Sequence, residues 1–165
     1  MATLSFLPVD EDHIDLLLTW VKLPHIRKYW PRTLTDIELH NLYINNFNKQ
    51  WMYPYIVEVD KKPMGYIQAY EAARIGNELW LEENTRTYGV DFFIGDESFL
   101  GQGYGLQMLQ EFMKKFQSEH QVEKWVVSHH MENRGALHTY EKCGFKRAIE
   151  VDTDDGPTVL MALKF

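Results

Sequence analysis

The run Leu100-Gly101-Gln102-Gly103-Tyr104-Gly105 constrains this chain more than any other stretch. It follows an apolar segment of strand character, Tyr88 to Ile94. It precedes Leu106, Leu109, Met113 and Phe116, which recur at helical spacing. Three alternate glycines between strand and helix let successive backbone N–H groups point at one place without Cβ interference. The helix N-terminus behind them adds partial positive charge, so the turn suits a phosphate or pyrophosphate. Glycines in such a turn can also serve packing alone, and the turn by itself leaves both readings open. Two familiar phosphate loops do not fit. A nucleoside-triphosphate loop ends in Gly-Lys-Ser/Thr, whereas Gly105 is followed by Leu106-Gln107. A dinucleotide loop opens the first β-α unit and is followed by an acidic strand end, whereas here Gln117 to Gln121 is still helix end.

Around this turn the pattern alternates strands and helices. Thr3 to Val9 reads as an edge strand. Asp10 then precedes Ile14, Leu17, Leu18 and Val21, one apolar helical face with an acidic start. His25 to Pro31 reads as an aromatic, basic connection. Thr35 to Asn46 reads as a helix capped by Thr35 with Glu38 three residues on. Tyr55 to Val59 and Met64 to Tyr70 flank Asp60-Lys61-Lys62-Pro63 as a hairpin. After the glycine turn and its helix, about 103 to 118, come a short strand from Lys124 to Ser128 and a helix from Asn133 to Lys142, stopped by Gly144. A final hairpin pairs Ala148-Ile149 with Val159 to Leu163. The order predicts a single α/β domain over residues 1–165, with a mixed central sheet flanked by about four helices.

Bulk properties narrow the function. With 45% hydrophobic and 25% charged residues, the 165-residue chain has the composition of a globular domain able to bury a core. No run reaches the ~18 apolar residues of a spanning helix, and Met1 to Asp10 lacks the pattern of a signal peptide. A single cysteine, Cys143, excludes an internal disulfide framework. Together these predict a cytoplasmic protein with no membrane partner. A net charge of −7 disfavours nucleic acid and anionic lipid. From Glu71 to Ser98 seven acids stand against Arg74 and Arg86. That stretch either attracts a cationic ligand or is a solvated loop. His129, His130 and His138 show no metal-ligand spacing, so no metal is expected.

The glycine turn, followed by Asn133, Ala136 and Tyr140-Glu141-Lys142-Cys143-Gly144-Phe145, resembles the GNAT N-acetyltransferases over nearly the whole chain. Leu100 departs from the Arg or Gln that usually begins the family's loop, while the glycines and their context agree. The resemblance implies acetyl-CoA as co-substrate, its pyrophosphate held by Leu100, Gly101, Gln102, Gly103, Tyr104 and Gly105. Asn133, Ala136 and Tyr140 would line the pantetheine arm, and backbone N–H groups near Phe92, Phe93 and Ile94 would bind the thioester oxygen. Tyr140 is the implied acid for the departing thiolate.

Within that family the chain is most similar to the aminoglycoside 6′-N-acetyltransferases. The matching stretches are His25 to Trp30, Pro54-Tyr55-Ile56, Pro63 to Tyr70, Trp80 with Glu82-Glu83, and Gly89-Val90-Asp91. The resemblance implies a small polycationic amine as acceptor and no nucleic acid. Trp30, Tyr70 and Trp80 are candidate sugar platforms, and Glu78, Glu82, Asp91 and Ser128 candidate acceptor contacts. Asp91 is either the base that takes the amine proton or an anchor for the acceptor. Two positions depart from the pattern: Asn77 and Ser128 stand where relatives carry aspartates. A siderophore hydroxylysine, a polyamine, or a non-catalytic CoA-binding role are the alternatives. The chain is expected to be a monomer or homodimer.

Overall fold

In the computed structural model, residues 2–29, 49–74, 86–153 and 156–164 are described, with Thr35, Glu38 and Asn41 between them. β1 (Leu4–Pro8), α1 (Ile14–Val21), α2 (Pro24–Arg27), β2 (Met52–Val59), β3 (Lys62–Glu71) and β4 (Thr87–Ile94) come first in the chain. α3 (Tyr104–Glu119), β5 (Lys124–His130), α4 (Arg134–Lys142), β6 (Lys146–Thr153) and β7 (Gly156–Lys164) follow. The seven strands form one sheet in the order β1-β2-β3-β4-β5-β7-β6. Every neighbouring pair is antiparallel except β4 with β5.

Alternation along the strands builds a core on each face. Leu17, Trp20 and Val21 of α1 pack with Ile26 of α2 against Ile56, Tyr66 and Phe93. On the opposite face Met108, Leu109, Phe112, Met113 and Phe116 of α3, with Tyr140 of α4, cover Val57, Ile67, Ala69, Tyr88, Val90 and Trp125. The result is an α/β three-layer arrangement, as the sequence pattern predicts. The β2–β3 turn places Asp60 (φ 48°) and Lys61 (φ 68°) in the left-handed region, the requirement of a two-residue type I′ hairpin. Pro54 is tolerated inside β2 because the β1 ladder ends at the Pro8–Tyr55 pair.

Three elements differ from the sequence expectation. Residues 24–27 form a helical turn rather than a plain connection, with Pro24 preset at its first position. β5 extends to His130 because β7 pairs with it through Thr158. The terminal hairpin is far longer than the apolar pattern suggests. β6 is an edge strand with nearly every residue exposed, so Lys146, Arg147, Glu150 and Asp152 conceal it from hydrophobic alternation. The expected cap of the 35–46 segment is present: Thr35 N–H donates to Glu38 Oε2 at 2.6 Å and Glu38 N–H to Thr35 Oγ1 at 3.2 Å. The remainder of that segment lies outside the described residues.

Candidate active site

The parallel ladder between β4 and β5 covers only Thr87 to Gly89 against Lys124 to Val126. Beyond Gly89 the two strands part, while β4 stays paired with β3 as far as Ile94. A gap therefore opens in the middle of the sheet, with unladdered backbone on its β4 side. The Tyr140 hydroxyl reaches this gap from α4 and donates to Val90 O at 3.4 Å. Since residues of a strand alternate in direction, the N–H groups of Phe92 and Ile94 point to the same side as Val90 O. Phe93, by contrast, pairs with Tyr66 on β3 and buries its ring between Trp20 and Tyr66.

The glycine turn lies at the end of this gap. Gly101 (φ 71°) and Gly103 (φ 83°) hold left-handed conformations, and a Cβ on either would meet nothing within 4 Å. They are glycines for backbone geometry, with open space in front of them. Gly103 caps the sixteen-residue α3, and its end has no side-chain cap. The N–H groups of the first turn are thus available to an anion. Gln102 is tied back to Ser98 O, Tyr104 packs edge-on against Phe99, and Leu100 is 43% exposed beside them. At Gly105 a Cβ would lie 3.5 Å from the Phe92 ring, an ordinary contact, so the packing of α3 on β4 does not itself require a glycine there. Asn133 caps α4 by accepting from Ala136 N–H at 3.3 Å, the cap expected from its position.

Asp91 sits on the other face of the gap. It pairs with Gln68 across the β3–β4 ladder, and Gln68 Nε2 donates to its Oδ2 at 3.3 Å. Burial pushes the Asp91 carboxyl up to about 6, with the Gln68 hydrogen bond pulling the other way. Tyr70 and Tyr140 are both held well above the ordinary phenol value, first by burial and then by the Asp91 charge. The three groups therefore form one electrostatic cluster across the gap, with a carboxylate acceptor and two protonated hydroxyls. By strand alternation Ser128 shares the face of Asp91, since Val126 pairs with Gly89. His129 turns to the opposite face, where its ring stacks on Tyr140 at 5.4 Å. Desolvation lowers its pKa, which disfavours the imidazolium form. Cys143 is half-buried with its thiol pushed up by burial, which is unsuited to a nucleophile.

Trp30, Glu78, Trp80 and Glu82 lie outside the described residues, as do Asn77 and Glu83. Among the described residues no cluster of His, Cys, Asp or Glu could hold a metal. No described helix is long and apolar enough to cross a membrane. Sequence reasoning gave no role to Gln68 and Tyr66. Their signal was the spacing Tyr66-Gln68-Tyr70, which puts three polar-tipped side chains on one face of β3. It also gave none to His25, whose Nε2 lies 2.9 Å from Ile94 O; that contact spans 69 positions and leaves no local trace.

Comparison with known proteins fits this geometry. Residues 10–153 match the family described as Acetyltransferase (GNAT) domain. The chain is 30% identical over 157 residues to aminoglycoside N(6′)-acetyltransferase type 1 of Klebsiella pneumoniae, covering 92% of this chain and 78% of that one. It is 26% identical over 137 residues to N-hydroxyputrescine acetyltransferase of Acinetobacter baumannii, covering 83% and 64%. The structure of aminoglycoside acetyltransferase AAC(6′)-Ib with coenzyme A and kanamycin superposes with a TM-score of 0.84 at 28% identity, covering 98% and 95%. The family match over most of the chain accounts for the parted strands, the open glycine turn and the capped α4 together: the chain belongs to the GNAT acetyltransferases, and acetyl-CoA is its acetyl donor.

Proposed function

We propose that the chain transfers acetyl from acetyl-CoA to a primary amine of a small polycationic acceptor, an aminoglycoside acetylated at its 6′-amine. The observation that carries this reading is the position of Asp91: a half-buried carboxyl beside the gap, with a pKa of about 6. Such a carboxylate is ionised at neutral pH yet basic enough to take a proton from an attacking amine. Similarity to the Klebsiella pneumoniae enzyme supports the acceptor class, as does the net charge of −7, which attracts polycations.

In this mechanism the open turn from Leu100 to Gly105 holds the donor pyrophosphate. Asn133 and Ala136 face its pantetheine arm, and the N–H groups of Phe92 and Ile94 bind the thioester oxygen. The amine attacks directly within a ternary complex and its proton passes to Asp91. The tetrahedral intermediate collapses with cleavage of the C–S bond, and the leaving thiolate takes its proton from Tyr140. Tyr70 and Ser128 face the acceptor, and Trp30, Glu78, Trp80 and Glu82 are the further acceptor contacts that the sequence resemblance implies.

A second reading keeps the chemistry and changes the acceptor to a hydroxylated or linear polyamine. Ser128 favours it, because a neutral hydroxyl on the acceptor face suits a less cationic ligand. Thiol release from acetyl-CoA with kanamycin or tobramycin, beside spermidine and N-hydroxyputrescine, tests the choice. Saturable turnover of the aminoglycosides, lost in Asp91→Asn, is expected. Turnover confined to the polyamines would replace the first reading with the second.

A further inference from the structure

Gln68 is a polar side chain only 7% exposed, and both ends of its amide are engaged. The hydroxyl of Tyr66, itself fully buried, donates to Oε1 at 2.5 Å. Nε2 donates to Asp91 Oδ2 at 3.3 Å. The direction of this chain follows from its chemistry. An ionised carboxylate can only accept, so the amide must turn its NH2 to Asp91 and its oxygen to Tyr66. A phenol hydroxyl is the one group in the chain able to adapt, and it supplies the proton that the amide oxygen requires. Tyr66 is in turn held by its ring, stacked on Phe93 at 5.3 Å with the planes 23° apart. The cross-strand pairs Gln68–Asp91 and Tyr66–Phe93 set all four residues in register.

We infer that Gln68 is a positioning residue: locked by Tyr66, it fixes the Asp91 side chain through Oδ2 and leaves Oδ1 to receive the acceptor's proton. This rests on the reading of Asp91 as the base. Among the described residues, the other titratable groups coupled to Asp91 are Tyr70 on β3 and Tyr140 on α4, both held well above the ordinary phenol value. His25 on α2 has Nε2 at Ile94 O and Nδ1 3.4 Å from Glu97 Oε1, and His129 on β5 has Nδ1 at His130 O and Nε2 at Met161 Sδ. Gln68 is therefore the group whose hydrogen bond favours the charged carboxylate against the cost of burial.

The test is the titration of the Asp91 carboxyl itself in the full chain, followed by carbon NMR and assigned by its loss in Asp91→Asn. It is run beside the pH dependence of kcat/KM with acetyl-CoA and kanamycin. In Gln68→Met, a near-isostere without the amide, the Asp91 midpoint should rise by about one pH unit, and the acidic limb of the rate profile should move with it. KM for acetyl-CoA should stay unchanged. Tyr66→Phe removes one oxygen and keeps the stacked ring, so it serves if Gln68→Met does not fold. It should move the midpoint the same way by less. An Asp91 midpoint that stays at its wild-type value in the folded variants would overturn the inference. A rate profile whose acidic limb survives Asp91→Asn would instead remove Asp91 as base, while the NMR midpoint still reports whether Gln68 governs its carboxyl.

Discussion

The phenol end of Tyr70 lies over Gly89, its opposite residue on β4, so that a Cβ at Gly89 would fall 2.0 Å from Cζ and 2.4 Å from the hydroxyl oxygen. This cross-strand relationship brings a buried phenol up to the face on which Asp91 stands. It also explains why a glycine occupies the last laddered position before β4 and β5 part. Gly89→Ala should therefore displace Tyr70 and disturb the acceptor side first. We expect destabilisation of about 1–3 kcal/mol, in the range of overpacked cores, with a larger relative rise in KM for the acceptor than for acetyl-CoA. Denaturant unfolding and two-substrate kinetics on the same preparation would check both.

The raised pKa of Asp91 has a consequence for stability. A carboxyl whose folded pKa lies above its unfolded value of 3.8 favours the native state below about pH 4 and loses that advantage as pH rises through about 6. Above pH 7 the ionised, half-buried group is a net cost. Asp91→Asn should accordingly stabilise the protein at pH 8 by up to about 3 kcal/mol, with little effect at pH 4. The same variant should lose acetyl transfer by 100-fold or more, on the order of a removed general base. Thermal unfolding at the two pH values measures the first and thiol release the second. Equal melting shifts at pH 4 and pH 8 would contradict the origin assigned to that pKa.

The Tyr140 ring packs against the rings of Phe92, His129 and Phe145. Tyr140→Phe keeps the ring and removes only the hydroxyl, so it separates packing from chemistry. If the hydroxyl protonates the leaving thiolate, kcat should fall 10- to 100-fold, within the usual range for an acid catalyst, with KM for both substrates little changed. Unchanged kcat would leave Tyr140 as a packing residue.

Gly103 tests the anion site. Its φ of 83° is strained for any residue with a Cβ, while the space in front of it is open. Gly103→Ala should cost about 1 kcal/mol of stability and raise KM for acetyl-CoA several-fold. Acceptor KM should be unaffected. Isothermal titration with CoA alone would show the same weakening without involving the acceptor.

Much of the fold was already written in local order. The strand-glycine-helix passage around Gly101, the period of α3, the Asn133 cap and the Asp60-Lys61 turn each arise from a few consecutive residues, so their chemistry is readable in one dimension. The same holds for GNAT membership, which rests on the glycine turn and the run ending in Gly144-Phe145. What only the tertiary structure decided depends on register and on distances between remote segments. Gln68 could not be tied to Asp91 until β3 and β4 were paired, because sliding one strand by a single residue would send the amide to the other face. Nor could the separation of β4 from β5, or the meeting of Asp91 with Tyr70 and Tyr140, be read from spacing. The elevated pKa of Asp91 comes from burial, and burial is a property of the assembled sheet and its covering layers rather than of Gly89-Val90-Asp91.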